Sequence, residues 1–428
     1  MTTARPDTAH AAEGSVEEIT VTGIAHGGEA VGRLADGRAV FVPYAIPGER
    51  VRVRVTERHK RFARAELTEV MEASPDRVAP PCPHFGPGKC GGSAWQHIRP
   101  AAQADLKARL VREQLAHLGK LDDVEVRPTL RPQAPGAPEG FGYRERATLT
   151  AGDDGQLGFM RAGSHDVHPV DRCPLLAGPL QSLPERLGRQ PAGSKVRLRH
   201  GPGGERLIVL DAAARDARPP VAERGLAWAS VQANGKVRDG EGAPFVTERV
   251  AGTELAVSAA SFFQVHREGA EELVRVVTEA LGPKPGDTMV DLYAGAGLFA
   301  ATVGTRVREV IAVESWKPAT RDAERNLRDH PNARVVRDDA LKGVRKLQAA
   351  DVVVLDPPRS GAGREVVRAV ARLGPRTVAL VSCDPAALAR DVRAFVEAGY
   401  EPQWVQPIDL FPQTAHVEAV TALRRSTR

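Results

Sequence analysis

Acidic residues end three apolar runs in the C-terminal half of the chain, and a fourth follows another such run. Asp291 closes TMVD, Glu314 closes EVIAVE, Asp356 closes VVVLD and Asp339 follows ARVVRD. Because the carboxyl ends of parallel strands meet at one edge of a sheet, we expect these side chains to line one crevice. There a carboxylate at Glu314 can accept hydrogen bonds from two ribose hydroxyls, and one at Asp339 can bind an adenine amino group.

A glycine-containing loop follows Asp291 in the segment DLYAGAGLF. Gly295 and Gly297 permit left-handed turns and let a ligand approach the backbone closely. With Ala300 they match the G-x-G-x-x-A pattern of dinucleotide-binding loops. An acid four residues before the first glycine would repel a pyrophosphate, so it favours S-adenosylmethionine as the ligand. A dinucleotide-dependent oxidoreductase stays open as an alternative at this point.

The segment LDPPRSG, residues 355–361, predicts a rigid turn at the next strand end. Two prolines restrict the backbone directly after Asp356. An acid–Pro–Pro element at this strand end is typical of methyltransferases that act on nucleobases. It offers a fixed carboxylate and backbone carbonyls to the edge of a base.

Cys383, in VSCDP, ends the following apolar run and is predicted to lie beside the same crevice. C5 of uracil is too weak a nucleophile to attack a sulfonium methyl, but a thiolate that adds to C6 makes an enolate with its charge at C5. A well-placed carboxylate can then remove the C5 proton, and Glu418 in TAHVEAV is the candidate. The alternatives are a small buried apolar side chain at Cys383 and an outward-facing strand acid at Glu418.

Alternating elements from about residue 250 onward must position these groups. Apolar strands and helix patterns follow each other from TMVDLYAGAG to the C-terminus, which predicts an α/β, Rossmann-like domain with a mostly parallel sheet covered on both faces. A helix is predicted over residues 99–119. Residues 73–97 are expected to form a loop. Residues 125–250 contain broken strands and many turn residues, which indicates an α+β or mostly β domain.

The N-terminal part of the chain has a different pattern. Residues 1–13 are predicted to be a disordered tail, and four or five short strands from about residue 14 to 72 predict a small barrel. Alternation in RVRVRV places Arg50, Arg52 and Arg54 on one strand face. That face is a candidate nucleic-acid footprint, with a solvated edge strand as the alternative.

Composition excludes several classes of protein. The 428 residues carry a formal net charge of +5, which permits a polyanionic partner without requiring one. No apolar run approaches the roughly 18 residues of a membrane span, and the N-terminus lacks the apolar core of a secretory signal. Four cysteines are too few for a disulfide scaffold. We expect a cytoplasmic, monomeric protein without a membrane partner.

Taken together, the motifs resemble those of the uracil-5 RNA methyltransferase family, which makes 5-methyluridine in tRNA and rRNA. SFFQVH (261–266), DLYAGAGLF, IAVE, LDPPRSG, SCDP and HVEAV occur in that family's order. The barrel resembles its OB-like RNA-binding module, the TRAM domain. The resemblance implies structured RNA as partner, Cys383 as nucleophile and Glu418 as general base. It also implies contacts to S-adenosylmethionine from five residues: Gln264, Tyr293, Glu314, Asp339 and Asp356.

Two departures from the family pattern concern His266 and the cysteines. His266 stands where the family usually has Asn, and we expect a small effect. The family often holds a [4Fe–4S] cluster on four cysteines, but here Ser93 replaces one of them and leaves Cys82, Cys90 and Cys173. A weakened cluster, a three-cysteine metal site and ordinary thiols are the three interpretations, because serine is a poor ligand for iron–sulfur clusters.

The resulting domain prediction has four parts. The tail covers residues 1–13 and the TRAM-like barrel residues 14–73. A central domain takes 74–97 and 122–250, and the methyltransferase domain takes 98–121 and 251–428. Two further functions stay open: an RNA-binding or assembly factor without catalysis, and an RNA cytosine-C5 methyltransferase. The latter usually pairs two cysteines, and LDPPRSG has none.

Overall fold

A computed structural model describes residues 14–211 and 225–426. The predicted tail, residues 1–13, lies outside the described residues. The described chain forms a closed barrel, a central sheet, a two-stranded hairpin and a C-terminal α/β unit. In these ranges, no helix combines the length and the apolar character that a bilayer crossing requires.

Five short strands close the N-terminal barrel in the order β1-β2-β3-β5-β4. They are β1 Val16–Ile24, β2 Ala30–Arg33, β3 Ala39–Val42, β4 Arg50–Arg58 and β5 Phe62–Glu72. Alternation in β4 buries Val51, Val53 and Val55 in the barrel core, because successive side chains point to opposite sides of a strand. The predicted small OB-like barrel is confirmed.

The outer face of β4 differs from the expected basic footprint. Arg50 is paired with Glu18 and Glu72, and Arg52 with Glu18 and Glu69. Glutamates at the outward positions of β1 and β5 therefore lie beside the arginines. The third arginine follows the same pattern, with Arg54 lying 3.9 Å from Glu66. This face is charge-balanced, and the sequence prediction missed it because it counted charges along β4 alone.

Helix α1, Pro100–Gln114, leads out of the barrel region. One π-helical turn, Leu115–Gly119, extends it, so the helix predicted over 99–119 is present. Its apolar side buries Leu110, Val111 and Leu115. The helix packs between the barrel and the C-terminal unit, and it is therefore able to couple the two.

The central part is a seven-stranded sheet with the order β12-β11-β10-β9-β6-β7-β8. Its elements are β6 Arg146–Ala151, β7 Leu157–Met160, β8 Val167–Pro169, α2 Leu183–Arg186, β9 Lys195–His200, β10 Arg206–Asp211, β11 Leu226–Val231 and β12 Val237–Glu241. The pairing is antiparallel except between β10 and β11. The expected mostly β character of residues 125–250 is present.

A hairpin joins the central sheet to the C-terminal unit. Strands β13, Phe245–Val250, and β14, Thr253–Ser258, pair antiparallel. Helices that follow in the chain pack against both strands. The boundary predicted at residue 250 falls within this hairpin, where Val246 packs with the central sheet and Val250, Leu255 and Val257 pack with the C-terminal unit.

The C-terminal unit is a seven-stranded sheet with helices on both faces, ordered β17-β16-β15-β18-β19-β21-β20. The strands are β15 Thr288–Leu292, β16 Glu309–Glu314, β17 Ala333–Arg337, β18 Val352–Leu355, β19 Thr377–Ser382, β20 Tyr400–Ile408 and β21 Glu418–Arg425. The helices are α3 Arg267–Leu281, α4 Leu298–Thr302, α5 Lys317–Asn326, α6 Ala340–Arg345, α7 Gly363–Leu373 and α8 Pro385–Glu397. Separate apolar clusters cover the two faces. The predicted Rossmann-like fold is confirmed.

Chain order reverses between β15 and β18, which are parallel neighbours in the sheet. In such sheets a ligand crevice opens outside the carboxyl ends of the strands at the reversal. Only β21 runs antiparallel to its neighbours in this sheet. As a result, the start of β21 lies at the same edge as the end of β19.

Candidate active site

The loop after β15 begins with a buried carboxyl group. Asp291 is fully buried, and its Oδ2 accepts a hydrogen bond of 2.9 Å from the Ala300 backbone N–H. Tyr293, Gly295 and Gly297 adopt positive φ values of 63°, 56° and 89°. A side chain at such a φ is uncommon, so the loop holds Tyr293 in a strained conformation of the kind often found at binding sites.

One oxygen of Asp291, Oδ1, has no hydrogen-bond partner in the described part of the chain. Burial raises the pKa of Asp291 to about 8, and the charges of Asp356 and Glu314 add to this effect. The three carboxyl groups predicted to share a crevice therefore act on one another electrostatically. Buried polar atoms normally have partners, so a carboxyl group with an unpartnered oxygen is costly to hold at this position.

Glu314 fixes the glycine loop from the neighbouring strand. Its Oε2 accepts from the Gly295 N–H at 2.9 Å, and its Oε1 accepts from the Trp316 N–H at 2.6 Å. Each carboxylate oxygen has a second lone pair. The residue predicted to bind a ribose thus lies against the loop predicted to cradle the ligand, and it retains acceptor capacity.

Tyr293 and Asp339 lie on the β17 side of this edge. Burial raises the pKa of Tyr293 to about 12, with smaller contributions from the charges of Asp339 and Asp391. Asp339 is exposed and caps α6, where its Oδ1 accepts from the N–H groups of Leu341 and Lys342. The capping of α6 gives Asp339 a structural role at this position. Its binding of an adenine amino group stays a prediction.

Gln264 lies on the segment between β14 and α3, and it is buried. Trp316 Nε1 donates to the Ala260 carbonyl at 3.0 Å, so this segment is attached directly beside Glu314. A second attachment comes from Asp322 on α5, whose Oδ2 accepts from the hydroxyls of Ser258 and Ser261. Gln264 is therefore brought to the β16 side of the crevice.

His266 ends this segment and caps the N-terminus of helix α3, as an Asn side chain could do at this position. It is fully buried at the N-cap of α3, where its Nδ1 accepts from the Gly269 N–H at 3.3 Å. Its Nε2 lies 3.1 Å from the Pro132 carbonyl, and its Nδ1 lies 3.4 Å from Glu268 Oε2. Asn and Asp side chains cap helices in the same way.

Asp356 and the Pro–Pro turn are held from helix α8. Both oxygens of Asp391 accept backbone hydrogen bonds from the end of the turn: Oδ2 from Ala362 at 2.7 Å and Oδ1 from Gly363 at 3.1 Å. Burial raises the pKa of Asp356 to about 7. The carboxyl group that the turn presents therefore holds its proton to a higher pH than an ordinary aspartate does.

Cys383 and Glu418 meet where β19 ends and β21 begins. Ser382 is paired with Ala419, so the next position in the antiparallel register places Cys383 opposite Glu418. Burial raises the pKa of Cys383 to about 11, and the charges of Glu418 and Asp356 contribute, while Arg359 opposes them. The structure thus brings together the thiol and both carboxyl groups.

Glu418 is 3% exposed, and its Oε1 has no hydrogen-bond partner among residues 14–211 and 225–426. Burial raises its pKa well above the ordinary value, and the charge of Asp356 adds to this. A buried carboxyl with a free oxygen beside a strand-end thiol is poorly explained by stability, because such a group costs free energy. It is well suited to exchange a proton with a bound substrate.

The thiol opens onto a crevice of about 820 Å³ between the central sheet, the barrel and the C-terminal unit. Its charged lining is dominated by five arginines: Arg144, Arg146, Arg197, Arg199 and Arg359. Phe262, which is 68% exposed, also borders it. The combination of cationic groups and an exposed aromatic ring suits a nucleic-acid strand with an unstacked base.

The residues expected to hold a cluster do lie together. Cys82, Cys90, Cys173 and Ser93 line one small cavity of about 10 Å³, roughly the space of a single water. Ser93 Oγ accepts from Gln96 Nε2 at 2.6 Å, and Cys90 Sγ accepts from the Gly92 N–H at 3.3 Å.

Across residues 14–211 and 225–426, no group of three or more His, Cys, Asp or Glu is arranged to hold a metal ion. Burial also raises the pKa of Cys90 to about 11, which opposes the thiolate form that a metal requires. The residues present do not fit a four-iron cluster, and we derive no step of the reaction through one.

Sequence reasoning missed Asp322, Asp391 and the arginine-lined floor of the crevice. Both aspartates occupy apolar positions of amphipathic helices, and Asp391 shares the buried side of α8 with Leu388 and Phe395. A charged residue in such a register is a detectable signal. The arginines had no comparable signal, because Arg146, Arg197 and Arg199 come together only when β6 and β9 pair.

Comparisons with known proteins agree with this architecture. Residues 11–68 match a family model described as the TRAM domain, and residues 246–426 match one described as tRNA (uracil-5-)-methyltransferase. An uncharacterized RNA methyltransferase of Streptomyces coelicolor is 37% identical over 97% of this chain and 94% of its own length. Another, from Streptomyces avermitilis, is 36% identical over 97% of this chain and 99% of its own length.

Among solved structures, the tRNA (uracil-54, C5)-methyltransferase of Pyrococcus abyssi in complex with S-adenosyl-L-homocysteine is similar over nearly its whole length. It covers 95% of this chain and 100% of its own, with a TM-score of 0.74 and 25% sequence identity. The resemblance indicated by the motifs is confirmed. The chain therefore belongs to the family of RNA methyltransferases in which a TRAM domain precedes a tRNA (uracil-5-)-methyltransferase domain.

Proposed function

We propose that this protein uses S-adenosylmethionine to methylate C5 of a uridine in structured RNA, through a covalent bond between Cys383 and C6 of the base. The observation that carries the proposal is the half-buried Cys383 thiol beside two carboxyl groups of raised pKa, at the wall of an arginine-lined crevice. A thiol and a proton acceptor are the two groups that C5 methylation of a uracil requires.

S-adenosylmethionine supplies an electrophilic methyl group on a sulfonium. We assign its binding to the β15–β17 side of the crevice, where the glycine loop, Tyr293 and Glu314 lie. Gln264 and Asp339 flank that position, and Asp356 lies between it and the thiol. The solved relative from Pyrococcus abyssi holds S-adenosyl-L-homocysteine, the form left after methyl loss.

The RNA would enter on the opposite side, across the central sheet. Arg144 donates to the Gly92 carbonyl and to the Tyr143 hydroxyl, both neutral groups, so these contacts leave its charge available. Arg359 is exposed beside the thiol. Such groups bind phosphates without regard to sequence. A uridine must leave its stack to reach Cys383, which unpaired loops of structured RNA permit.

The first chemical step requires the thiolate, and a pKa of about 11 keeps the free thiol protonated at neutral pH. Asp356, with a pKa of about 7, is the neighbouring group able to accept that proton. The sulfur then forms a bond to C6, and the electron pair of the C5–C6 double bond moves to the C4 carbonyl as an enolate. C5, which then carries the negative charge, would take the methyl carbon of the sulfonium as its carbon–sulfur bond breaks, and S-adenosyl-L-homocysteine would leave.

The second step restores the aromatic base. Glu418 removes the proton from C5, the C5–C6 double bond forms again, and the sulfur leaves C6 as a thiolate. Buried and coupled to Asp356, Glu418 is a stronger base than an exposed glutamate once ionised. Of the two protons that move, one returns to the Cys383 thiolate and the other is released to solvent, so each turnover liberates one proton.

Release of tritium from RNA labelled at C5 of uridine tests the proposal, because methylation at C5 expels that hydrogen. We expect S-adenosylmethionine-dependent release by the natural protein and none by Cys383→Ala. Glu418→Gln should still form the bond to C6 but release little tritium, whereas Glu401→Gln, an exposed glutamate on β20, should behave like the unchanged protein.

Transfer RNA and ribosomal RNA serve as separate arms of this experiment, since the family model and the Pyrococcus abyssi relative name tRNA and the Streptomyces relatives name RNA. Release from either arm supports the reaction and identifies the class of RNA. Release from RNA labelled in cytidine, or unchanged release by Cys383→Ala, would overturn the proposal.

A further inference from the structure

The barrel reaches the thiol through one tight turn. Residues 25–29 connect β1 to β2, and the turn is closed by hydrogen bonds from Ala25 N–H to Glu29 O and from Gly28 N–H to Ala25 O. His26 and Gly27, at its tip, line the same crevice as Cys383. A module expected to bind RNA at a distance thus forms part of the wall of the site.

His26 contacts the residue that follows the nucleophile. Its Nε2 lies 3.2 Å from Asp384 Oδ2, and the side chains are 46% and 23% exposed. The other oxygen of Asp384 caps α8 by accepting from the Ala387 N–H at 2.7 Å. The Cys383–Asp384 peptide is therefore held between helix α8 on one side and the barrel on the other.

The same turn also contacts the loop that leads to Glu418. A Cβ built at Gly28 would lie 2.3 Å from the Ala415 Cβ, so the backbone of the turn is in direct contact with that loop. Trp95 Nε1 donates to the Gly28 carbonyl at 3.0 Å, and the Trp95 N–H donates to the Gln413 carbonyl at 3.0 Å. One turn of the barrel thus bridges the two segments that carry the thiol and the carboxylate.

We propose that the barrel turn is a positioning element of the active site, in which His26 holds Asp384 and Gly28 seats the Ala415 loop, so that Cys383 and Glu418 keep their relative placement. The inference rests on the proposed function, and it assigns the barrel a role beyond RNA affinity. Small displacements of reacting groups reduce rates steeply, so such a role must appear in the chemical step.

Two matched pairs of variants separate positioning from RNA binding and from stability. His59 on the barrel lies 3.2 Å from Glu57 and is 49% exposed, so His59→Ala removes a similar contact away from the crevice. Gly37 has φ +86°, close to the +92° of Gly28, but a Cβ there would meet nothing within 4 Å. Gly37→Ala therefore carries the backbone strain of Gly28→Ala without the clash.

The measurement is the single-turnover rate of adduct formation with saturating 5-fluorouridine RNA, beside KM for RNA and the midpoint of urea unfolding. We expect His26→Ala to lower the rate about fivefold, the scale of one half-exposed hydrogen bond, with KM and the unfolding midpoint unchanged. His26→Gln, which retains a donor, should recover most of the rate. Gly28→Ala should lower the rate further, while Gly37→Ala and His59→Ala should match the natural rate.

A rise in KM without loss of rate in His26→Ala would overturn the inference, because it would make His26 an RNA contact alone. Equal rates for Gly28→Ala and Gly37→Ala would overturn it as well. Failure of the natural protein to form any adduct would instead contradict the proposed function. The two failures are therefore distinguishable in one experiment.

Discussion

Three carboxyl groups at one sheet edge, the buried Asp291 and Glu418 and the half-buried Asp356, define the chemistry of this protein at the scale of single residues. Asp291, Asp356 and Glu418 all have raised pKa values, and burial is the largest cause in each case. Proximity strengthens the effect, because two like charges in a low-dielectric site cannot both form easily. The site therefore stores protons near neutral pH, as a reaction that moves two protons requires.

The raised pKa of Asp291 predicts a pH-dependent loss of stability. A folded-state pKa of about 8 against an ordinary 3.8 means that the folded state binds the proton more tightly. This stabilisation is fully present below about pH 4 and is lost as the pH rises to about 8. The slope approaches ~1.4 kcal/mol per pH unit for one group.

Asp291→Asn cannot ionise, and its amide oxygen can still accept from the Ala300 N–H. The free energy of unfolding of the ligand-free variant, relative to the natural protein, should therefore increase steadily from pH 5 to 8 and level off above. Urea unfolding at each pH measures this difference. A constant difference across the range would show that Asp291 ionises normally in the folded protein.

The sequence indicated most of the site because its residues lie at strand ends, where chain order and fold class fix their location. Asp291, Glu314, Asp356 and Cys383 all follow apolar runs of a recognisable length. The protonation states of the carboxyl groups could not be predicted in the same way. It depends on how deeply Glu418 is buried and on the charges that surround it, which arise from long-range packing.

At the scale of elements, helix α1 supports the loop that precedes Glu418. Lys107 is fully buried, and its Nζ donates to Asp409 Oδ1 at 2.5 Å and to the Phe411 carbonyl at 3.0 Å. One turn earlier, Gln103 donates to Gln413 Oε1 and accepts from the Gln413 N–H. A buried polar network thus fixes the course of the 409–417 segment beside the crevice.

Breaking the buried ion pair on one side should be costly. Lys107→Met leaves Asp409 buried without its cation, and we expect a loss of about 3–5 kcal/mol in the free energy of unfolding. The double variant Lys107→Met/Asp409→Leu should recover most of it, because no charge is then left unpaired. Arg393→Met, which removes an exposed pair with Glu397, should cost less than about 1 kcal/mol.

Urea unfolding of these variants measures the effect, with tritium release as the functional readout. The single variant should also lose activity, since the loop to Glu418 loses its support. If the single and double variants were equally unstable, the pair would have no special role, and packing of the Lys107 side chain alone would explain the loss.

At the scale of the whole molecule, positive charge is concentrated in the crevice, while the outer face of β4 is neutral. Arg359 is exposed in the crevice, and Arg197 lies there 3.6 Å from Asp211, whereas Arg52 is paired with both Glu18 and Glu69. Counterion release makes RNA affinity fall with salt in proportion to the phosphates that a protein neutralises. The salt dependence of binding therefore reports which surface contacts the RNA.

We expect Arg197→Ala and Arg359→Ala each to reduce the slope of log affinity against log salt by about 1. The double variant Arg52→Ala/Glu69→Ala, which removes a neutral pair, should leave the slope unchanged. Filter binding between about 50 and 200 mM salt measures all three. A smaller slope for the barrel variant, with normal slopes for the crevice variants, would place the RNA on the barrel face instead.

Much of the fold could be predicted from the periodicity of apolar residues. The features that could not be predicted share a physical cause, which is contact between distant segments of the chain. The barrel and the doubly wound sheet follow from local strand and helix patterns. The boundary predicted at residue 250 falls inside the hairpin Phe245–Ser258, whose strands read like those of the central sheet. Its residues pack partly with that sheet and partly with helices that come later in the chain. The neutral β4 face and the arginine-lined crevice depend on neighbouring strands that a single segment does not reveal.

Mass spectrometry of the covalent adduct tests the central claim most directly. The natural protein is incubated with S-adenosylmethionine and RNA that contains 5-fluorouridine, whose C5 fluorine cannot be removed as a cation, so the adduct persists. After digestion we predict one peptide, spanning VSCDP, with a methylated fluorouridine nucleotide attached to Cys383. An adduct on any other residue, or its formation by Cys383→Ala, would contradict the account.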